Sequence, residues 1–223
     1  MAELRDEALL LRRIPFSETS LICHVITAQH GRIALMARGA RRPKSTFCAS
    51  LEPLHTLAIH WRSGRSGMGT LTDVTRGDAL LPPALSLEGL ELLAIVARLF
   101  QEGDPHGFSE TKQALQRLNT TSGNERLLAA IWQLLNDAGW LGDLSHCWHC
   151  GEPATGMMHW QHAQLRCANC GTGLAISTGL RRSIDTCMAG QAVRFSQADH
   201  ETWRTMLRQT LHEHGINVSS QCL

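Results

Sequence analysis

The chain has 223 residues, of which 43% are hydrophobic, enough to bury cores in one large domain or in two to three smaller ones. Its formal net charge of +1 does not by itself favour an acidic or a basic partner. The first residues carry acids where a signal peptide needs basic residues, and no apolar run approaches the roughly 18 residues of a membrane span. The composition therefore argues against membrane insertion and predicts a soluble, cytoplasmic protein.

The charged residues are unevenly distributed along the chain. Residues 1–76 contain eleven Lys or Arg against six Asp or Glu, whereas residues 77–143 contain four against nine. The remaining segment, 144–223, is close to balanced, with six against five. A basic first segment and an acidic second one suggest surfaces for different partners, although imbalances of this size also occur as ordinary surface charge.

The first 79 residues predict a small β-domain. Short β-compatible runs are separated by turn signals at Pro15, at Gly31 and in two segments rich in glycine and arginine. Since no helical pattern intervenes, these runs favour a small antiparallel barrel, and the OB-fold is a five-stranded barrel of about this size. The predicted strands are residues 7–15, 21–29, 32–39, 54–61 and 69–76.

Residues 80–144 and 175–223 predict a helical domain, so the expected fold class is α+β with several domains. Pro82 and Pro83 end the β-pattern, and from Ser86 apolar residues recur at helical spacing. Two further helices are predicted at 108–118 and 124–140, the latter with Asn124 as its N-cap. After residue 175, helices are predicted from Ser177 or Thr178 and from Ser196, and the last buries Trp203, Met206, Leu207 and Leu211.

Residues 145–174 form an insertion with two Cys-x-x-Cys pairs, Cys147/Cys150 and Cys167/Cys170, separated by sixteen residues. This spacing is typical of a zinc site, and four thiolates saturate a tetrahedral Zn²⁺ without leaving a position for substrate. Glycine follows each pair, which predicts a positive φ at Gly151 and Gly171. Because the intervening segment is short and polar, the metal is predicted to be structural and to fold this module.

The residues leave alternatives open at this site. A Cys-x-x-Cys pair can act in redox catalysis, iron also binds four thiolates, and a nearby histidine can replace one of them. The histidines within range are His146, His149, His159 and His162. Elsewhere the sequence contains no phosphate loop, metalloprotease motif or nucleophile elbow, which predicts that the protein is not an enzyme.

A basic segment follows the third predicted strand. Arg38, Arg41, Arg42 and Lys44 lie within seven residues, and the first strand carries Arg12 and Arg13. Such a cluster is suited to following the phosphates of nucleic acid, with a steep salt dependence because each neutralised phosphate releases a counterion. Few aromatic residues accompany it, so stacking is predicted to be limited; they are Phe16, Phe47 and Trp61. The alternative is a solvated basic loop without a ligand.

The segment "SETSLICHVITAQHGRIALMARGARRPKS" resembles the N-terminal region of the RecO family of bacterial recombination mediators. The family pattern consists of Ser-Glu-Thr/Ser-Ser, a strand that ends in Thr, Gly followed by Arg or Lys, and Lys/Arg-Gly-Ala/Val-Arg. In this sequence the pattern is found at Ser17 to Ser20, Thr27, Gly31-Arg32 and Arg38 to Arg41. The order of an OB-like barrel, a helical domain and a four-cysteine module also matches, over essentially the whole chain.

The resemblance implies a non-enzymatic DNA-binding protein of repair and recombination that is associated with the bacterial nucleoid during repair. RecO proteins bind single- and double-stranded DNA, anneal complementary strands, engage the acidic C-terminal tail of the single-strand-binding protein SSB, and work with RecR to load RecA. By this analogy the basic residues contact DNA. The SSB tail then docks on the helical part, with Arg117, Arg126 and Arg204 as candidate contacts.

Two departures from the family pattern accompany the resemblance. Some members lack the four cysteines, which implies a structural role for the metal. This chain also carries Ser219, Ser220 and Gln221 where the family tail is basic. The alternative function, from another class, is a zinc-ribbon regulator that binds nucleic acid with sequence-selective contacts.

Overall fold

The computed structural model describes residues 3–64, 67–218 and 223 of the chain. It comprises two compact units, Met1–Gln116 and Arg117–Leu223. Part of the glycine-rich loop (Arg65 and Ser66) and the tail residues Ser219, Ser220 and Gln221 lie outside the described residues. The domain limits expected from the sequence, at 79, 144 and 174, stay a prediction.

A closed five-stranded barrel forms most of the first unit and confirms the predicted OB-like domain. Its strands are β1 (Glu3–Pro15), β2 (Leu21–Thr27), β3 (Gly31–Ala37), β4 (His55–Arg62) and β5 (Gly69–Ala79). They pair in the order β1-β2-β3-β5-β4, and β4 pairs with β1 to complete the barrel. Inward side chains alternate along the strands, as Leu57, Ile59 and Trp61 do in β4, and these residues fill the barrel core.

Two features of the barrel differ from the sequence-based expectation. A short helix, α1 (Thr46–Ser50), lies between β3 and β4, where no helix was expected. The barrel is also not purely antiparallel, because β3 and β5 run parallel where Leu35 pairs with Gly69 and Met36 with Thr70. This closure needs glycine at position 69, since a Cβ there would come 2.8 Å from the side chains of Leu35 and Trp61.

The barrel is followed by a 3-10 turn, Pro83–Leu85, and by helices α2 (Ser86–Leu99) and α3 (Phe108–Thr120). Both helices begin where the sequence predicts them. Helix α2 packs against β1, and its buried side chains include Leu92, Leu93 and Val96. The boundary between the two compact units falls within α3.

The second unit combines helices with a small sheet. Its elements are α4 (Arg126–Asp137), β6 (Met158–Gln161), β7 (Gln164–Arg166), β8 (Leu174–Ile176), α5 (Thr178–Met188) and α6 (Gln197–Glu213). The predicted caps Ser177 and Ser196 are confirmed, because their hydroxyls accept from the backbone N–H of Leu180 and Asp199. The predicted cap Asn124 is wrong, because α4 begins two residues later and Glu125 stands at its N-cap.

The three-stranded sheet, in the order β7-β6-β8, was not predicted and changes the interpretation of the cysteine segment. Trp160 of β6 is 1% exposed, and its ring lies 5.9 Å from that of Trp132 on α4. Trp132 in turn lies 6.1 Å from Trp203 on α6. The expectation that this segment is too polar to bury a core is therefore wrong.

None of the helices in the described part of the chain combines the length and the apolar composition of a membrane span.

Candidate nucleic-acid interface and candidate metal centre

The register of the barrel brings the predicted basic residues to one of its ends. Pro15 at the end of β1 pairs with Leu21, and Leu21 pairs with Ala37 at the end of β3. The loop that leaves β3 therefore begins beside the turn that joins β1 to β2. We define the basic patch as the exposed residues Arg12, Arg13, Arg38, Arg41, Arg42 and Lys44.

Two tight connections shape the loop of the basic patch. Gly39 has a φ of +72°, which glycine adopts without strain, and the N–H of Arg42 donates to the Gly39 carbonyl at 3.0 Å. The N–H of Ser45 then donates to the Arg42 carbonyl at 3.0 Å. These bonds turn the chain twice within a few residues, which leaves the side chains of Arg38, Arg42 and Lys44 exposed.

Arg41 joins the loop to the β1–β2 turn. Its backbone N–H donates to the Thr19 carbonyl at 3.0 Å, and its Nη1 donates to the Ser17 carbonyl at 2.6 Å. Ser17 has a φ of 128°, a conformation that costs a non-glycine residue on the order of 1–3 kcal/mol. The sequence placed Arg41 only among possible phosphate contacts, and its role in holding this turn was missed.

Arg13 is less available to a ligand than the other members of the basic patch. Its Nη1 donates to the Leu51 carbonyl at 2.8 Å and lies 3.7 Å from a carboxylate oxygen of Glu52. The remaining five cationic side chains have no ion-pair partner among the described residues. The patch therefore keeps most of its positive charge open to solvent.

The four predicted metal ligands converge in the second unit. The Sγ atoms of Cys147, Cys150, Cys167 and Cys170 all lie within 4.8 Å of one another. The Sγ atoms of Cys150 and Cys167 are 3.9 Å apart, close to the roughly 3.8 Å expected between thiolates bound at about 2.3 Å in a Zn²⁺ tetrahedron. This separation is far longer than a disulfide. The donor set fits a zinc ion that is fully coordinated by protein.

The glycines of the two cysteine turns have different roles. Gly151 has a φ of +74° and donates its N–H to the Cys147 carbonyl at 2.8 Å, as predicted. The same prediction is wrong for Gly171, which is not in the left-handed region. A Cβ at Gly171 would come 2.7 Å from Cδ of Arg166, so a larger residue there would have to displace the Arg166 side chain.

The thiols do not ionise equally. Backbone N–H groups of Cys150 and Cys167 lower the pKa of the Cys147 thiol from 9.0 to about 6, because they stabilise its thiolate. The sulfur atoms of Cys167 and Cys150 beside Cys170 raise the pKa of its thiol to about 12. Ionisation of one thiol thus disfavours ionisation of its neighbours. A bound dication would offset this repulsion and let all four sulfurs coordinate as thiolates.

Three of the four nearby histidines have other partners. Nδ1 of His146 lies 2.8 Å from the Asp143 carboxylate, Nδ1 of His162 lies 3.3 Å from Glu213, and Nδ1 of His159 lies 3.5 Å from the Gly173 carbonyl. Within the described residues, the cluster of possible metal ligands contains cysteines alone.

A buried arginine connects the segment between the cysteine pairs to helix α5. Arg181 is 4% exposed, and its Nη2 donates to the carbonyls of Ala154 and Gly156 at 3.1 and 3.2 Å. Burial lowers the pKa of this guanidinium. The burial of Arg181 was not predictable from the sequence, because an arginine on an amphipathic helix is usually solvated. The segment is therefore held by protein contacts as well as by any metal.

Of the three arginines predicted to bind a partner, Arg117 alone lines the cavity at the end of α5. Arg117 lines a cavity of about 300 Å³ with residues that include Thr121, Glu125 and Val193, and its Nη2 donates to the Met188 carbonyl at 2.9 Å. Nε of Arg126 donates to the Gly123 carbonyl, and Arg204 lies 3.9 Å from Glu201. Neither of these two residues lines the cavity.

Comparison with known proteins gives consistent matches along the chain. Residues 1–77 match the family described as "Recombination protein O N terminal", and residues 89–215 match "Recombination protein O C terminal". The chain is 30% identical over 167 residues to a protein of Actinobacillus succinogenes called "DNA repair protein RecO", with 73% of this chain and 70% of that protein covered.

Proteins with the same name in other bacteria match over similar stretches. The identity is 34% over 167 residues to the one from Actinobacillus pleuropneumoniae serotype 7, covering 72% of this chain and 69% of that protein. It is 39% over 158 residues to the one from Ralstonia nicotianae, covering 67% of this chain and 56% of that protein.

Proposed function

Because the chain belongs to the RecO family, we propose that it is a DNA repair protein that acts as a non-enzymatic recombination mediator. It binds and anneals single-stranded DNA, binds double-stranded DNA, and works with RecR to load RecA onto DNA coated with SSB. The observation that carries this proposal is the basic patch at one end of the OB-like barrel. Its six exposed members lie near the end of β1 and on the loop that leaves β3, and that loop begins beside the β1–β2 turn.

The basic patch supplies what binding without sequence preference requires. Its arginine and lysine groups can each approach a phosphate, and backbone contacts of this kind carry no sequence information. Annealing needs no catalytic residue, because two strands whose phosphates are neutralised by the same surface repel each other less. The protein then acts by lowering an electrostatic barrier rather than by making or breaking a bond.

The cavity beside Arg117 is the proposed site for the acidic C-terminal tail of SSB. Its lining combines a guanidinium with apolar atoms of Cys187, Ala192 and Val193. Arg117 uses part of its donor set on the carbonyls at the end of α5, but a guanidinium has five N–H groups and can also bind a carboxylate. Glu125 lines the same cavity and opposes an acidic ligand.

The metal centre is proposed to bind Zn²⁺ and to be structural. The four cysteines would hold the ion in a closed coordination shell, and the ion would fix the two cysteine turns beside the β6–β8 sheet. Since no coordination position stays open for substrate, the centre takes no part in a reaction in this proposal.

The second candidate function is a zinc-ribbon regulator with sequence-selective contacts. It is favoured by Trp148, which lies in the first cysteine turn, is 59% exposed and has the Arg166 guanidinium 5.9 Å from its ring centre. An exposed aromatic next to a cation can contact bases. This candidate predicts that one nucleic-acid sequence is strongly preferred.

Fluorescence anisotropy separates the two candidates. Labelled single-stranded oligonucleotides of several sequences, and a labelled peptide with the sequence of the SSB tail, are titrated with the whole protein at two salt concentrations. For a mediator, the affinities for the different oligonucleotides agree within a few-fold and fall steeply as the salt concentration rises. A mediator also binds the SSB-tail peptide. Binding confined to one sequence, without peptide binding, would favour the regulator, and no binding of either ligand would refute the proposal.

A further inference from the structure

An aromatic side chain stands exposed beside the basic patch. Phe16 occupies the turn between β1 and β2, and 54% of its surface is open to solvent. The other two aromatic residues noted in this region differ, since Trp61 is 7% exposed and Phe47 packs against the barrel core. A phenyl ring left in water forgoes the burial that normally stabilises this residue type.

The turn that carries Phe16 is closed by a backbone hydrogen bond and is joined to the basic patch through Arg41. The N–H of Phe16 donates to the Ser20 carbonyl at 3.1 Å and closes the turn. Ser17, the next residue, has the strained φ of 128°, and Arg41 binds its carbonyl and that of Thr19. Strain of this kind persists where surrounding contacts enforce it, often at binding sites. The ring is therefore presented on an ordered turn.

The charge around this turn favours a polyanion. Arg41 contacts the carbonyl one residue from Phe16, and the end of β1 carries Arg12 and Arg13. The basic patch has six positive side chains. Two negative ones accompany them, Glu18 in the turn and Glu52 beside Arg13. A polyanion that also carries flat apolar groups matches this combination, and single-stranded nucleic acid is such a ligand.

We propose that Phe16 forms a stacking site for an unpaired nucleobase at the edge of the basic patch. The cations bind the phosphates of single-stranded and double-stranded DNA alike, whereas the Phe16 ring can stack only on a base whose face is free. In a duplex that face is covered by neighbouring bases, so Phe16 adds affinity for single strands only. This inference rests on the proposed DNA-binding function and adds to it a means of telling single-stranded from double-stranded DNA.

The test combines a side-chain change with removal of the base. Wild-type protein, Phe16→Ala and Phe16→Trp are titrated against a labelled oligothymidylate, an abasic oligomer of the same length and a duplex. Leu87→Ala is the matched control, because Leu87 is an exposed apolar residue of the same unit, 69% exposed on α2, and is not adjacent in sequence to any member of the basic patch. Thermal unfolding of each variant confirms that the fold is retained.

The expected result is selective. Phe16→Ala should weaken oligothymidylate binding roughly 5- to 150-fold, the range measured when a base-stacking aromatic is removed. Binding to the abasic oligomer and to the duplex should change less than about twofold, and the salt slope should stay the same because no phosphate contact is lost. Phe16→Trp should keep or strengthen oligothymidylate binding, and Leu87→Ala should match the wild type.

Two outcomes would overturn the inference while leaving the proposed function intact. One is wild-type affinity of Phe16→Ala for oligothymidylate. The other is an equal loss on the oligothymidylate and on the abasic oligomer, which would mean that the ring supports the turn rather than a base. If the wild-type protein bound none of the three ligands, the proposed function would fail and the inference with it.

Discussion

Replacing Arg38, Arg41, Arg42 and Lys44 together by alanine should remove most of the salt dependence of single-stranded DNA binding. Arg13 forms an ion pair with Glu52 at 3.7 Å, so we count the other five members of the basic patch as open cations, meaning cations without an ion-pair partner among the described residues. For single strands each neutralised phosphate contributes about −0.7 to the slope of log K against log salt. The expected slopes are about −3.5 for the wild type and about −0.7 for the variant, which keeps only Arg12 among the open cations.

These slopes correspond to a large difference in a simple titration. Between about 50 and 200 mM salt, the wild type should lose roughly 100-fold in affinity and the quadruple variant roughly threefold. Fluorescence anisotropy at several salt concentrations measures both slopes directly. A triple variant of Arg5, Arg62 and Arg76, which are also exposed on the barrel strands, removes a similar charge and should keep a slope near that of the wild type.

Either of two results would refute this reasoning. An unchanged slope in the quadruple variant would mean that DNA is bound elsewhere. An equal flattening in the triple variant would mean that net charge, rather than the basic patch, determines binding.

Removal of zinc with a chelator, or Cys147→Ser, should expose the amides of the two cysteine turns to hydrogen exchange while those of β6 stay protected; loss of protection throughout the second unit would contradict this. Trp160→Ala should lower the free energy of unfolding by about 3–5 kcal/mol, whereas Trp148→Ala, at an exposed position, should change it by less than about 0.5 kcal/mol in denaturant titrations. Arg117→Gln should weaken binding of the SSB-tail peptide several-fold and Glu125→Gln should strengthen it, with Arg126→Gln as the control outside the cavity; equal effects of all three changes would argue against this docking site.

The strands of the barrel were predictable because each is marked by a pattern within a short stretch of sequence. Alternating side chains such as Leu57, Ile59 and Trp61 have the period of a strand, and the turn residues between the runs mark their ends. Its parallel closure was not predictable, because it depends on two residue pairs, Leu35 with Gly69 and Met36 with Thr70, that lie far apart in sequence. A pairing of this kind has no local pattern.

The candidate metal centre was likewise predictable in part. The spacing of the four cysteines predicted their convergence, since two short turns suffice to bring each pair together. The β6–β8 sheet was missed because strands of three or four residues are too short for alternation to be recognised. Arg181 was missed for a different reason, because only the folded chain shows that its helix face is covered.

The pairing of β1 with two partners has a consequence for how the protein is made. Its partner β2 follows at once, but its partner β4 lies much later, so that Glu3 pairs with Arg62. At roughly 5–20 residues per second, the ribosome takes about 3–12 s to add the intervening chain. During that interval one edge of the first strand has no partner, and unpaired strand edges are sites of aggregation. The nascent chain therefore presents an unpaired edge of β1 until β4 emerges, and during this time it is open to misassembly.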